Sequence, residues 1–463
     1  MLRVFAIAAL VLSAAESGGL PPFPVVGPGE PVPQKLYGFT GKGVISYDGV
    51  DRISDFVQWK AAVAARKTRV LEERAEYLRE RYEWAGLKTD AAVVMGGGKK
   101  RVPIGPVTRL PQGVTSWEAL AAMSAEEIRK KGLFPEGFRP LSHPLHSTGH
   151  MLFPKSWTDV HPEHKRFDVD HDLPEAFLPE FPPPLFLTTR PDLGDVSKGR
   201  EITLENHREF FDGVLTPEQM EGARLLLTKF PTSWFNFTKH RVTEESSRGV
   251  ACFDCHVNGH TNGALGLDPG TRPQLARVRL DTPTIRGNHA MSLFSLKRSI
   301  RTLEHFAEVE EYFDGDIAMQ LQVGGRQLDK PSTNRMGDFM SIVGFPPAEK
   351  LDRMGRLISA RASDAEKRGE ELFFGKAQCG SCHPAPFYTD NRMHDLRVEE
   401  FYVGRAEGWA KTFSLRGIKD SPPYFHDGRL LTLEDTVEFF NLLLGTKLTA
   451  AEKKDLVLFL RCL

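Results

Sequence analysis

The chain has 463 residues, 40% of them hydrophobic, with 60 basic against 61 acidic side chains and a formal net charge of -1. That length accommodates two or three domains. The balanced charge lacks the basic footprint that nucleic-acid binding needs, so no nucleic-acid partner is expected, and a docking patch for any other partner must be local.

The first element is "MLRVFAIAALVLSAAESGG". Arg3 supplies a positive start, Val4 to Leu12 an apolar run, and Ser13, Ala14 and Ala15 small residues for cleavage, so residues 1–15 read as a signal peptide. The run is too short to span a bilayer, and no later stretch is long and uncharged enough. An exported, soluble protein of the periplasm or medium is expected, with no stable membrane span. "GGLPPFPVVGPGEPVPQ" follows and reads as extended loop. A helix is predicted from Ser54 to Ala85, with Gly86 just past its end. "SAEEIRKKG" carries a capping box from Ser124 to Glu127. Leu141 to Asp172 then holds His143, His146, His150, His161, His164 and His171, interrupted by prolines and without a fixed ligand spacing.

The next helix, "LTPEQMEGARLL", is capped by Thr216 with Gln219 completing the box, and it leads to "VACFDCHVNGH". A second capped helix, "ASDAEKRGEELFF", with Ser363 and Glu366 in the same roles, leads to "AQCGSCHPAPF". Each of these segments contains Cys-x-x-Cys-His, which uses four of the five cysteines. A Cys-x-x-Cys pair serves as a redox disulfide, half a zinc site or a covalent haem anchor. The adjacent histidine discriminates. A redox pair has no use for it, and a zinc site of four thiolates leaves it idle. In c-type attachment the thiols bond the porphyrin and the imidazole ligates the iron. Cys252, Cys255 and His256 therefore read as one haem c site, and Cys379, Cys382 and His383 as another. Cys462 reads as a small apolar residue at the end of the last helix, with a partnered thiol as the lesser reading. One of the six upstream histidines as a distal ligand or proton relay is the sharper reading of that segment; hydrogen-bonded histidines in an irregular stretch packed across the haem units is the simpler one.

Downstream motifs also come in pairs. "DTPTIRGN" from Asp281 answers "KTFSLRGI" from Lys411, and "LFSLKRSIRTLEHFAEVEEYF" from Leu293 answers "YFHDGRLLTLEDTVEFF" from Tyr424. Arg416 follows Arg286 by 130 positions, Glu434 follows Glu304 by 130, and His383 follows His256 by 127. Such an offset indicates duplication. The last helix, capped by Thr449 and Glu452, aligns Leu456, Phe459, Leu460 and Leu463 on one face. The expected fold is mainly α: two tandem cytochrome c-like haem domains, 206–350 and 351–463, behind an irregular, partly helical region, 16–205.

From Thr216 to Leu463 the paired haem motifs, "TPT-R" and "T-SLRG", and above all "PYFHDG" from Pro423 to Gly428 resemble the bacterial di-haem cytochrome c peroxidase family, which includes the MauG-type enzymes; rubber oxygenases are distant relatives. The resemblance implies two covalent haems c with His256 and His383 as proximal iron ligands. It implies that His426 lies near the haems and that a distal glutamate works beside the first haem, with Glu304 and Glu308 as candidates among the acidic residues up to Glu311. It also implies a calcium ion between the domains, with Asp281 in the place of an Asn ligand and Ser421 and Pro423 at carbonyl positions. Three departures stand out. "FSLKR" replaces the family's "FWDGR", placing Ser295 at the tryptophan. No histidine lies between the first haem motif and "TP" beyond His260, which is only four residues past His256. Phe440 stands fourteen residues after His426, where the family has a Met or Tyr ligand; Met393 and His394 are the nearest ligand-capable pair, with Met393 the candidate iron ligand and a loop that only covers the haem edge the alternative. The activity implied is reduction of hydrogen peroxide by electrons from a small cytochrome c or cupredoxin. A di-haem electron carrier, or an oxygenase of the rubber-oxygenase type using dioxygen, are the alternatives. A homodimer is the oligomeric option carried with these.

Overall fold

The computed structural model describes residues 53, 55–142, 151–166, 169–230, 250–266, 279–295, 298, 300–314, 329–403 and 409–463. The signal-peptide reading, the Pro/Gly stretch, and His143, His146 and His150 lie outside the described residues. Among those described, no helix is long and apolar enough to cross a membrane.

Helix α1 spans Phe56–Arg81, with Asp55 accepting from Gln58 N at 2.8 Å as its cap. It stops four residues short of the expected Ala85. Tyr82 leaves the helix as extended backbone, bridges to Thr108, and donates its hydroxyl to Arg429 O at 2.7 Å. A tertiary bond thus ends α1, which no local signal announced. A hairpin follows, β1 (Lys88–Val94) antiparallel to β2 (Arg101–Ile104), then short helices α2 (Trp117–Ala121) and α3 (Ala125–Lys131). Ser124 and Glu127 form the expected capping box of α3.

The two repeat units have the same plan. In the first, α4 (Pro217–Leu226) precedes the haem motif, and α5 (Leu303–Asp314) and α6 (Lys330–Ile342) follow it. In the second, α7 (Asp364–Phe374) precedes and α8 (Leu433–Leu443) and α9 (Ala450–Leu460) follow. The capping boxes at Thr216/Gln219, Ser363/Glu366 and Thr449/Glu452 all form. The duplication extends to single hydrogen bonds. Phe294 and Ile300 exchange the same backbone pair as Tyr424 and Leu430, 130 positions on. In that register Ser295 answers Phe425, so position 296 answers His426.

The cores show what the N-terminal region does. Leu185, Leu187, Val196 and Ile202 pack into the first unit's core with Phe211, Ala223, Phe253 and Phe339. That core therefore starts about twenty residues before the expected boundary at 206. Leu120, Ile128, Phe134 and Phe138 complete the second unit's core beside Phe373, Tyr388, Phe439 and Phe459. Leu78, Tyr82, Val107, Leu141 and Phe177 meet Leu431 in a third cluster. The region expected to stand in front of the haem units is built into both.

Candidate haem attachment sites and the loop between them

Cys252–Cys255 form one helical turn, and His256 N donates to Cys252 O at 2.9 Å. Asp254 closes the turn by accepting from Ala251 N at 2.9 Å. Cys379–Ser381 form a 3-10 turn, and His383 N donates to Cys379 O, again at 2.9 Å. Both motifs thus close a single turn with the same His N to Cys O bond. No disulfide joins any of the five cysteines. Among the described residues no three metal-ligating side chains converge, so the two Cys pairs do not assemble the tetrahedral thiolate cage of a structural zinc.

His383 carries the clearest sign of a ligand. Its Nδ1 lies 2.8 Å from Tyr388 O. A carbonyl only accepts, so Nδ1 holds the proton and Nε2 holds the lone pair. Orienting the ring this way through Nδ1 is how proteins present an imidazole to a metal. Loss of hydration pushes its pKa down to about 4, which keeps the ring neutral. Tyr388 is itself fixed, fully buried and packed against Phe373 and Phe459. These residues fit covalent haem c.

Five further histidines, His161, His164, His171, His260 and His394, are held by partners of their own. His260 is buried, with Nδ1 2.8 Å from Thr284 Oγ1 and Nε2 2.9 Å from Asp420 O. It ties the first haem motif to the second unit. His161 stacks on Trp157 at 4.0 Å and bonds Glu201 at 2.8 Å; Trp157 Nε1 donates to His164 Nδ1 at 2.9 Å; His171 bridges Leu173 O and Gly263 O. The simpler reading of the histidine-rich segment fits each of these three. His394 bonds Asp390 at 2.8 Å, and Asp390 N donates to Cys382 O. Met393 lies next to it on a short strand, opposite Lys411. Phe440 packs against the second core, edge-on to Phe439.

Of the acidic candidates, Glu308 is tied to Lys330 at 3.2 Å and Thr333 at 3.3 Å, bracing α5 against α6. Glu304 sits in the first turn of α5 against Gly337 of α6. The side chains of Glu310 and Glu311 lie outside the described residues.

The His426 loop is held from three sides. His426 O accepts from Asp281 N at 3.0 Å. Asp427 accepts from Leu141 N at 2.8 Å and from Arg429 Nε at 2.8 and 2.9 Å. Phe425 and Gly428 take positive φ of 72° and 67° to make the turn. The structure therefore brings Asp281, Pro423 and His426 together. Calcium takes six to eight oxygens. Here one oxygen of Asp281 is bonded to the buried Arg279 guanidinium, which also bonds Asp172 at 3.1 Å, and Asp172 bonds Arg74 at 2.6 Å. The donor set is that of an ion-pair chain, and it does not fit a calcium cage. Ser421 ends the 3-10 turn at Ile418–Asp420, its N–H donating to Ile418 O. Arg279, Asp172 and Asp427 were missed in the sequence. The spacing of Arg279 and Asp281 at alternate positions of an extended segment was the available signal.

No family model matches the chain. Among characterised proteins it is 30% identical over 174 residues to cytochrome-c peroxidase IdrP1 of Denitromonas iodatirespirans, covering 27% of this chain and 46% of that one. It is 35% identical over 127 residues to methylamine utilization protein MauG of Methylorubrum extorquens, covering 23% and 36%. It is 26% identical over 283 residues to cytochrome-c peroxidase IdrP2 of Denitromonas iodatirespirans, covering 46% and 76%. The chain thus spans less than half the length of the first two of these relatives. On these comparisons, with the helical repeat units around the paired motifs, the chain is similar to cytochrome-c peroxidases and MauG proteins.

Proposed function

We propose that the chain is an exported di-haem c-type oxidoreductase that reduces hydrogen peroxide with electrons from a small cytochrome or cupredoxin. The observation that carries this is the repetition of one geometry, Cys-x-x-Cys-His closed by a His N to Cys O bond, in two homologous units. Bound haem supplies the peroxide-binding and electron-transferring iron. His383 would ligate the iron of a bound haem through Nε2, a reading supported by the engagement of Nδ1 with Tyr388 O. His426 is the acid–base candidate, because its loop is clamped through Asp281 N and Asp427 while its imidazole remains half-buried. A di-haem electron carrier is the second reading. The engagement of Glu308 with Lys330 and Thr333 favours it, since a carboxylate held in a helix brace is not placed for proton transfer.

The test is expression in a host with haem c maturation. Pyridine haemochrome and mass should report two haems c per chain, and Cys252→Ala with Cys255→Ala should remove one. Reduced protein should be reoxidised stoichiometrically by peroxide. Two haems without peroxide turnover would make the protein a carrier, and a haem-free or zinc-loaded product would remove both readings.

A further inference from the structure

We propose that Arg279 is the built-in cation of the junction between the two haem units, positioning the His426 loop where the family resemblance implies a calcium ion. Three separate stretches of chain meet there. Asp172 comes from the N-terminal region, Arg279 and Asp281 from the first unit, and His426 and Asp427 from the second. The side chains of Arg74, Asp172, Arg279 and Asp281 are 4%, 2%, 0% and 12% exposed. Buried charges persist only when paired. Here cation and anion alternate along the chain, and the two inner members are each bonded on both sides. Arg279 Nη1 also lies 3.3 Å from Asp427 O, so the guanidinium touches the second unit directly. Asp281 completes the path, since its backbone N–H donates to His426 O.

Space and charge both oppose a second cation. A Cβ at Gly428 would collide with Arg279 Nη1, Asp281 Oδ2 and the Pro423 ring, so the guanidinium fills the gap under the loop. Two carboxylates already face two guanidiniums, which leaves no net negative charge to draw a divalent ion. Asp281 Oδ2 is buried without a hydrogen-bond partner, and of the carboxylate oxygens of Asp172 and Asp281 it alone is still open to a metal. Arg279 acts through Asp281 and the backbone, so its role is positioning. The inference holds whether the haems reduce peroxide or only carry electrons.

The experiment uses the full-length, haem-loaded protein purified without chelator. Metal analysis should find no stoichiometric calcium. The melting midpoint and the ferric optical and EPR spectra should be unchanged by EGTA and by calcium at about 1 mM, the weak end of protein calcium sites. Arg279→Ala should lower the midpoint and alter the ferric spectrum, millimolar guanidinium should restore the spectrum in part, and Arg279→Lys should retain more of it. One bound calcium per chain, or an EGTA-induced spectral change reversed by calcium, would overturn the proposal. So would an Arg279→Ala spectrum identical to wild type, or a loss that neither guanidinium nor Arg279→Lys mends, since that is the mark of a cavity rather than of a missing charge. If Arg279→Ala does not fold, the chelation and metal-content measurements on the unaltered protein still decide it.

Discussion

At the scale of single residues, the sequence spells out thiols and imidazoles but not protons. Cys-x-x-Cys-His can be read directly; that Nδ1 of His383 is the protonated nitrogen depends on a carbonyl at Tyr388 that only the folded turn provides. Asp435 is a sharper case. Its position in the first turn of α8 reads as an ordinary helix-start acid. In the structure it is fully buried, and Oδ1 accepts from Val107 N at 3.0 Å and Thr108 N at 2.9 Å, while Oδ2 has no hydrogen-bond partner. Burial pushes its pKa up to about 6. A carboxyl raised above its unfolded value holds its proton more tightly when folded, so its contribution is fully present below the unfolded pKa and is lost as pH rises through about 6. The loss is on the order of 2–3 kcal/mol. Asp435→Asn keeps the acceptor for both amides and never ionises. Its stability relative to wild type should therefore improve between about pH 4 and pH 7, read from denaturation midpoints across that range. A difference that does not vary with pH would mean that Asp435 is hydrated.

At the scale of elements, the capped helices were legible because a capping box is local: Ser or Thr at the cap and Glu or Gln three residues on suffice. How the helices meet was not. Gly222 of α4 and Gly369 of α7 each lie against the backbone of the last helix of their unit, at Arg335 O and Asp455 O, closely enough that a Cβ would overlap it. Arg368 then latches to Asp455 at 2.6 Å beside the second crossing. In sequence a glycine within a helical pattern looks like a weakness, costing about 1 kcal/mol against alanine. Here it lets two helices touch. Gly369→Ala should thus lower the thermal midpoint of the protein, because overpacking against unyielding backbone costs about 1–3 kcal/mol or more and outweighs the propensity gain. A midpoint at or above wild type would show that α7 and α9 have room to separate.

At the scale of the whole molecule, the duplication was visible as a near-constant offset, and the structure repeats it in the backbone pair that Phe294 and Ile300 share with Tyr424 and Leu430. The units also brace each other: Asp281 N reaches His426 O, while its repeat counterpart Lys411 sends Nζ to Leu293 O at 2.7 Å. The extent to which the N-terminal region enters both cores was the part not legible in the sequence. Apart from those of α1, its buried residues arrive singly, from short helices, 3-10 turns and proline-rich links, so they show neither the helical nor the strand period by which a core-forming segment is recognised.

That region yields the last prediction. Were it an appendage, a chain beginning at Pro183 would keep both haem units intact. The structure argues otherwise on three counts. The second core would lose Leu120, Ile128, Phe134 and Phe138, each 2% exposed or less. Each such loss costs about 2–5 kcal/mol, and together they approach or exceed the roughly 5–15 kcal/mol by which a domain is stable. Arg279 would lose Asp172, and Asp427 would lose Leu141 N, stranding buried charges at the junction. Asp435 would lose both of its amide donors. Residues 183–463 produced alone should therefore fail to give a cooperatively melting protein with two haems, whereas the chain with residues 53–182 restored should melt as one unit. Calorimetry with haem quantification reads both. A truncated chain that takes up two haems and melts within a few degrees of the full chain would show that the contacts of the N-terminal region are dispensable, and that the haem units are self-sufficient.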